Sequence, residues 1–506
     1  MGIMRQRRMD GERHGVHGRP RESPATRGYT EKDTASNNTT RRTITVQNPF
    51  QRLFRRKTYA RLFAAQVLSL LGTGLTTMAL GLLAFDLAGE RAGLVLGTAL
   101  TLKMVAYVTV APLAGAYIAR LPRRTTLVTL DILRAGLVVW LPFVDAIWQV
   151  YLLVFLFQTC SAGFTPTFQA TLPEVLPDED EYTRALSLSR LAYDLESLVS
   201  PALAGLLLTV MSFHWLFLGT TLGFLASAAL VLSVTLPVIA APDREEPFHR
   251  RVTRGAWIYL FTPRLRGLLA LSFATASVGA AVIVNTVVHV HGQLDGGEQR
   301  YALVMAAYGL GSMAVALALP RVLHRLRTRT VMLTGALVLA LASASVALGL
   351  SLTTTLLVWL VLGAGTALVQ TPGGLLLRRS SHAEDRVDLF AAQFALSHAC
   401  WLVTYPLAGW LGARLGLEQA FLIMAGGAVV GGALASRLWP AGDPEVQEHE
   451  HPELEHQHLH VHDEHHQHEH EGWEGPEPHR HPHYHGGLRH RHPFVIDDHH
   501  PAWPRG

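Results

Sequence analysis

Residues 120–125 read Arg-Leu-Pro-Arg-Arg-Thr, and residues 325–330 read Arg-Leu-Arg-Thr-Arg-Thr, so a basic stretch returns after 205 positions (325 − 120 = 205). Further landmarks return at nearly the same distance: Thr165-Pro166 as Thr371-Pro372, and Pro201 with Gly205 as Pro406 with Gly409. Landmarks repeated at one spacing indicate that a structural unit occurs twice in the chain. The sequence therefore predicts two related halves that hold the same features in the same order.

Long apolar runs surround these landmarks. Hydrophobic residues make up 49% of the 506 residues and charged residues only 16%, a more apolar balance than that of an ordinary soluble protein. A membrane-crossing helix needs about 20 mainly apolar residues. Twelve such runs begin near Leu62, Leu94, Thr126, Trp148, Thr183, Phe213, Leu265, Tyr301, Thr330, Thr354, Val387 and Leu417. The fifth and eleventh carry the most charge. We predict an all-α integral membrane protein of about twelve transmembrane helices in two six-helix pseudo-repeats, with disordered N- and C-terminal tails.

The arginines of the short loops predict the orientation. One set of alternate loops contains Arg120, Arg123, Arg124, Arg250, Arg251, Arg254, Arg321, Arg325, Arg327, Arg329, Arg378, Arg379 and Arg386, whereas the other set contains Arg91, Arg300 and Arg414. Arginine-rich short loops stay in the cytoplasm. We expect a multi-pass protein of the bacterial inner membrane with both termini in the cytoplasm.

Composition divides the chain into five regions. Residues 1–47 are Arg-rich, lack a cleavable signal and form a predicted disordered basic segment. Residues 48–236 and 264–440 are the two six-helix halves, and residues 237–263 form a predicted cytoplasmic linker. Residues 441–506 form a His-rich tail, in which 14 acidic and 4 basic residues from Asp443 onward give a net charge of −10 (4 − 14).

Residues 115–127, Gly-Ala-Tyr-Ile-Ala-Arg-Leu-Pro-Arg-Arg-Thr-Thr-Leu, resemble the loop between helices two and three of the major facilitator superfamily. The superfamily's acidic residue falls on Ala119 and its second glycine on Pro122. The resemblance implies a secondary-transporter fold and a gating role for Gly115, Arg120, Arg123, Arg124, Asp131 and Arg134. The stretch from Ser200 to Gly205 resembles a Gly-Pro-rich element of the superfamily's exporters and favours efflux. Ordinary packing around a kinking proline is the alternative.

Histidine is concentrated in the tail, where 18 of the 27 histidines lie between His449 and His500. The predicted ligands are His449, His451, His456, His458, His460, His462, His465, His466, His468, His470, His479, His481, His483 and His485. Neutral imidazole suits nickel, zinc, copper and cobalt, and the interspersed glutamates add oxygen ligands. The cysteines, Cys160 and Cys400, lie far apart in apolar stretches, which argues against a soft-metal site or a zinc module. We predict that the tail binds Ni(II) or a similar divalent ion, with no prosthetic group.

Twelve spans followed by a cytoplasmic His-rich C-terminus resemble the nickel-resistance exporters of this superfamily, the NreB-like proteins. The resemblance implies export of nickel or cobalt and metal resistance. The partners we expect are the metal substrate, a proton gradient and membrane lipid, with no nucleic acid, obligate protein partner or enzymatic activity. The alternative is a proton-coupled exporter of drugs or other small organic molecules, with a metal-sensing or metal-buffering tail.

Ionisable groups inside predicted spans are candidates for the transport pathway, because burying them in a bilayer is costly. Asp194 and Glu196 lie on the fifth span, although Arg190, four residues before Asp194, favours a structural ion pair as the alternative. On the seventh span Asn285 and His289 are also four residues apart, and His398 lies on the eleventh, where a packing role is the alternative. Further polar residues of the spans are Asp86, Lys103, Gln158, Gln370 and Gln393.

The energy source is predicted to be an ion gradient, because the chain contains no GxxxxGK[ST] phosphate-binding loop. Metal binding displaces protons from its ligands. Inward proton movement is therefore expected to drive outward metal movement.

Overall fold

The computed structural model describes residues 49–88, 92–118, 121–237, 247–294, 298–442, 447–451, 454–460, 479–485, 488–492, 494–496 and 503. Fifteen α-helices occur in these residues. They are α1 (Pro49–Arg55), α2 (Lys57–Ala88), α3 (Ala92–Ile118), α4 (Arg123–Trp140), α5 (Ile147–Val175), α6 (Glu179–Leu208), α7 (His214–Leu232), α8 (Phe248–Phe261), α9 (Pro263–Gln293), α10 (Glu298–Leu323), α11 (Thr328–Ser345), α12 (Leu352–Gln370), α13 (Gly373–Arg379), α14 (Arg386–Leu415) and α15 (Leu417–Leu438).

Twelve of the described helices have at least 18 residues, and each predicted span begins within five residues of one of them. Eleven are long and apolar enough to cross a membrane. The remaining long helix is α6, whose 30 residues include Arg190, Asp194 and Glu196. The predicted all-α body is therefore confirmed. The fifth predicted span corresponds to α6, and its charged residues distinguish it from the other eleven long helices.

The twelve long helices divide into two groups of six, α2 to α7 and α9 to α15, with the short α13 in the second group. Within the N-terminal half α2 packs on α7 and α3 on α5, and within the C-terminal half α9 packs on α15 and α10 on α12. The halves meet where α3 packs against α14 and where α6 packs against α10. Each half has its own buried apolar core, and a small shared cluster that includes Tyr107 and Phe394 lies between them.

Small residues allow the closest helix contacts. A side chain at Gly311 would overlap the carbonyl of Leu360, and one at Gly363 would overlap the carbonyl of Tyr308, so α10 and α12 touch backbone to backbone. Lipid supplies little hydrophobic driving force between helices, and close packing of small residues is a main source of their association.

The repeated Thr-Pro step has different outcomes in the two halves. Pro166 lies inside the continuous α5, whereas Pro372 lies between α12 and α13. Proline removes a helical hydrogen bond in both places. Only Pro372 is followed by two glycines, Gly373 and Gly374, which stabilise a helix poorly, and there the helix breaks.

The end of the bundle that carries the Arg-rich loops is called the basic end. The first turns of α2 and the last turn of α7 meet there, where Arg61 Nη1 donates to the Ser233 carbonyl over 2.6 Å. Arg329, near the start of α11, donates to the carbonyls of Ser436 and Trp439 at the end of α15, each over 2.8 Å. Both ends of the helical body therefore lie at the basic end.

The described part of the tail after the helical body contains four strands: β1 (Gln447–His451), β2 (Leu454–His460), β3 (His479–His485) and β4 (Leu488–His492). β1 pairs with β4 and β2 pairs with β3, both antiparallel, so the inner pair is nested within the outer one. Part of the C-terminal tail that the sequence predicts to be disordered is thus in strands. Residues 1–48, which include the predicted N-terminal segment, lie outside the described residues.

Candidate functional site

A polar cluster lies where α3 and α5 of one half approach α14 of the other. The Tyr107 hydroxyl donates to Gln158 Oε1 over 2.8 Å, and the Lys103 ammonium lies 5.6 Å from the centre of the Tyr107 ring. The His398 ring meets Tyr107 edge-on, with centroids 4.8 Å apart. The cluster therefore joins polar groups of both halves inside the membrane body.

The tautomer of His398 follows from its hydrogen bond. Its Nδ1 lies 2.7 Å from the Phe394 carbonyl oxygen, which can only accept, so Nδ1 carries the proton and donates. The neutral ring then has its lone pair on Nε2. Histidines that ligate metals commonly hold their second nitrogen in this way, so the chemistry of His398 suits a ligand or a proton carrier.

Glu196 lies on α6 beside α2. A Cβ added to Gly74 would lie 2.8 Å from Glu196 Oε1 and would overlap Ser200, so the two helices are in close contact there. The charges of Glu196 and Lys103 interact electrostatically. Lys103 also interacts electrostatically with His398, and we call the three residues the Lys103–Glu196–His398 group.

Asp194 forms the ion pair that its spacing from Arg190 favours, with Arg190 Nη2 2.8 Å from Asp194 Oδ1. The same guanidinium donates to Ser312 Oγ of α10 over 3.0 Å and to Gln370 Oε1 at the end of α12. Arg190 therefore links the two halves, and Asp194 holds it from its own helix.

Asn285 and His289 contact different neighbours. Asn285 Nδ2 donates to the Ala408 carbonyl of α14 over 3.2 Å. His289 has Nδ1 2.6 Å from Gln293 Oε1 and Nε2 3.2 Å from Thr355 Oγ1, and its ring stacks on Trp359. Both ring nitrogens of His289 have hydrogen-bond partners inside the C-terminal half. Although Asn285 and His289 are four residues apart, their side chains contact different neighbours and do not converge on one site.

Asp131 and Arg134 form a buried pair inside the N-terminal half. Arg134 donates to Asp131 Oδ1, while Ser227 Oγ of α7 donates to Asp131 Oδ2 over 2.7 Å. The guanidinium also lies over the rings of Phe164 and Phe224, at 3.9 and 4.5 Å. The pair ties α4 to α5 and α7.

A charge network joins the halves at the basic end. Arg123 of α4 contacts Glu174 of α5 over 2.8 Å, Arg386 of α14 lies 3.8 Å from the same carboxylate, and Arg123 donates to the Ala383 carbonyl. A second ion pair, Arg379 with Glu179, also crosses between the halves. We call these five side chains the basic-end network.

Two further contacts close the same end. Arg254 of the linker helix α8 makes a two-point contact with Asp385, at 2.8 and 3.4 Å. A Cβ on Gly115 would lie 2.9 Å from that of Ala391, so α3 and α14 are almost in backbone contact. In this conformer the basic end is therefore closed.

The remaining residues of the predicted gating loop are placed as follows. Arg124 donates to the Leu232 carbonyl at the end of α7, within its own half. Arg120 lies outside the described residues. Glu174, Glu179 and Asp385 were not predicted, although their position at the ends of spans beside basic loops was a usable signal.

The backbone pairing places histidine opposite histidine. These register positions are His449 with His490, His456 with His483, His458 with His481, and His460 with His479. His451 stands opposite Leu488 and His485 opposite Leu454. His462, His465, His466, His468 and His470 lie outside the described residues. Among the described side chains, no group of three or more His, Cys, Asp or Glu residues could hold a metal ion.

The model of the Major Facilitator Superfamily matches residues 62–361 and 269–473. The chain belongs to the Major Facilitator Superfamily. The membership and the apolar helices make it a multi-pass membrane protein.

Curated relatives match part of this superfamily member. An uncharacterised MFS-type transporter, YfiS of Bacillus subtilis, is 29% identical over 185 residues, which are 35% of this chain and 43% of YfiS. Macrolide efflux protein A of Streptococcus pyogenes is 25% identical over 186 residues, 36% of this chain and 44% of that protein. The chain thus matches less than half the length of these relatives.

Solved structures share the fold. The human organic anion transporter MFSD10 aligns with a TM-score of 0.66 at 14% identity, covering 76% of this chain and 99% of that one. A bacterial homologue of the iron transporter ferroportin, in an outward-facing state, aligns with a TM-score of 0.65 at 14% identity, covering 75% and 98%. At these identities the likeness concerns the fold alone.

Proposed function

We propose that this superfamily member exports divalent transition-metal ions, nickel or cobalt, from the cytoplasm in exchange for protons, and so confers metal resistance. The observation that carries the proposal is the pairing of histidines across β2 and β3. The metal here is the transported substrate.

The register supports paired ligands in the tail. Directly opposite residues of an antiparallel pair have Cβ atoms about 4.5–5.5 Å apart, and both share one face of the sheet. His456, His458 and His460 alternate along β2, and their partners alternate along β3. We infer that the two histidines of an opposed pair bind one ion, and the glutamates interspersed along the tail add negative charge that attracts cations.

The Lys103–Glu196–His398 group supports a site for the ion inside the body. His398 supplies a nitrogen lone pair on Nε2, and Glu196 supplies carboxylate oxygens. Lys103 gives the carboxylate a cationic neighbour when no ion is bound. An arriving divalent cation competes with that ammonium for Glu196, and loss of the metal lets protons return to the group. The Lys103–Glu196–His398 group thereby couples metal movement to proton movement.

The closed basic end supports alternating access to this group. The arginine-rich loops at that end favour a cytoplasmic location. The basic-end network then separates the central group from the cytoplasm in this conformer, and it must open before an ion can enter from the tail.

A second candidate is export of organic molecules, with the tail as a metal buffer. The observations that favour it are the 25% identity to macrolide efflux protein A and the aromatic side chains of Tyr107 and Phe394 around the central group. Aromatic side chains suit the apolar body of an organic molecule, and the nearby Lys103 ammonium suits a negatively charged group on it.

The test expresses the full chain, a version that ends before Asp443, and an empty vector in a metal-sensitive host. Growth is compared in nickel, cobalt, zinc, copper, macrolides and dyes. Metal export predicts tolerance of nickel or cobalt, partly kept without the tail. Tolerance of macrolides or dyes alone supports the second candidate. Reconstituted protein that moves no divalent cation across liposomes overturns the proposal.

A further inference from the structure

The C-terminal residues return to the membrane body after the His-rich strands. Phe494, Val495 and Ile496 are 3%, 6% and 0% exposed, and Phe494 and Ile496 belong to the apolar core of the C-terminal half. Leu265 and Leu268, from the first turns of α9, belong to the same core. Three consecutive buried apolar residues mark a docked segment, because unanchored chain termini are rarely buried.

A buried arginine holds this segment in place. Arg264 is 4% exposed and its Nη2 donates to the Phe494 carbonyl over 3.1 Å. The same guanidinium lies 5.1 Å from the Trp503 ring, which meets Phe494 edge-on with centroids 5.0 Å apart. The guanidinium thus makes a hydrogen bond to the backbone of the segment and a cation–π contact with its tryptophan ring. Both interactions add to the burial of the apolar side chains. We call Phe494, Val495, Ile496 and Trp503 the C-terminal anchor.

The other end of the His-rich segment is fixed nearby. Trp439, directly after α15, is 2% exposed and packs on Gly267, where an added Cβ would lie 2.8 Å from Trp439 Cβ. Arg264 and Gly267 are one turn apart on α9. The chain therefore leaves the body after Trp439 and meets it again at Phe494, at neighbouring points of one half.

We propose that the C-terminal anchor makes the segment that carries β1 to β4 a loop attached at both ends, whose histidines hold metal ions at the basic end and deliver them to the pathway. The metal part rests on the proposed function. Both attachment points belong to the C-terminal half, so the loop moves with that half and does not bridge the two. The loop raises the local metal concentration and leaves the two halves free to move relative to each other.

Docking is tested by cutting the loop in the full-length protein. A protease recognition site is inserted after His492, between β4 and the anchor, so that strand pairing does not retain the released fragment, and an affinity tag follows Gly506. After cleavage in detergent, the tagged fragment is expected to stay with the membrane body. It is expected to leave in the double variant F494A/W503A and to be retained less in R264K, which keeps the charge but not the planar guanidinium. F143A, an exposed aromatic side chain removed from the opposite end, is the control. A wild-type fragment that leaves on cleavage, or a double-variant fragment that stays, overturns docking.

Delivery is tested by nickel uptake into everted vesicles at graded nickel concentrations, using uncut protein. In F494A/W503A we expect the KM for nickel to rise about tenfold, because loss of the second attachment lowers the local concentration of tail-bound metal at the basic end, with kcat unchanged. An unchanged KM, or a fall in kcat with no change in KM, overturns delivery. Absence of nickel transport in the wild type contradicts the proposed function, whereas the cleavage result would still establish docking by itself.

Discussion

Glu174 of the N-terminal half faces Arg386 of the C-terminal half at 3.8 Å, with both side chains largely buried. The same carboxylate binds Arg123 at 2.8 Å, so one acidic group lies between two guanidinium groups. Removing the shared anion leaves the two cations facing each other at low exposure, where unpaired charge is costly.

Glu174→Gln is therefore expected to open the basic end. Breaking a buried pair costs about 3 kcal/mol or more, which corresponds to about a hundredfold change in the ratio of closed to open conformers. Spin labels at Leu121 and Leu326, which are 53% and 51% exposed on opposite halves, report the distance across that end. Both native cysteines are replaced by serine. We expect the distance distribution to move to longer values.

Glu418→Gln is the matched control, because Glu418 is exposed in the first turn of α15, at the opposite end of the bundle. Its distances should equal those of the parent protein. An unchanged distribution in Glu174→Gln would show that the network does not keep this end closed.

His398→Ala is expected to lower metal flux in proteoliposomes at least about tenfold, the effect of losing one interaction of about 1.4 kcal/mol at the transported ion. Some thermal stability should also be lost, because the ring packs on Tyr107 and Phe394 and donates to the Phe394 carbonyl, so flux is compared per folded molecule. His289→Ala is the comparison: it removes two hydrogen bonds and the stack on Trp359, at a cost of about 1–3 kcal/mol in unfolding free energy. Scanning fluorimetry and flux measured on both variants separate the roles. Equal flux in His398→Ala and the parent contradicts the assignment.

Glu196→Gln is expected to uncouple metal movement from protons. The amide neither carries a proton nor balances the Lys103 ammonium, so adding nickel to energised everted vesicles should no longer dissipate the pH gradient. A fluorescent pH-gradient dye monitors this. Glu418→Gln, which removes an exposed carboxylate that is not a pathway candidate, is the control. Proton release equal to that of the parent protein would exclude Glu196 from coupling.

Paired substitutions test the histidine register. H456A/H483A removes two opposed residues and is expected to lower the number of nickel ions bound by one. H456A/H481A removes one member from each of two opposed pairs and is expected to lower it by two, although both variants lose two histidines. Calorimetric titration of the full-length protein measures the difference. The same loss in both variants would mean that the ions are not bound by opposed pairs.

Much of the fold was predictable because each span is a local property of the sequence. About 20 apolar residues between basic loops locate a helix whatever it packs against. The pair of Arg190 and Asp194 was predictable for the same reason, since four residues fix their distance on a helix. Its links to Ser312 and Gln370 were not, because they depend on how the halves meet.

The features that sequence reasoning missed join residues far apart in the chain. Glu174 and Arg386 are 212 positions apart (386 − 174), and nothing local to either one identifies the other. The C-terminal anchor was missed for another reason: Phe494-Val495-Ile496 is a short apolar run within a polar, His-rich composition. Its partner, Arg264, lies 230 positions away in the chain, and no local pattern joins the two.

The two copies of the Thr-Pro step have diverged mechanically. In the N-terminal half α5 continues through Pro166 without a break. The corresponding helix of the other half is interrupted at Pro372, which Gly373 and Gly374 follow. After this break the chain continues through α13 to Arg379 and so to the contact with Glu179. The corresponding positions of the two halves thus differ in helix continuity, and rearrangement at the basic end is expected to bend the chain first at Pro372.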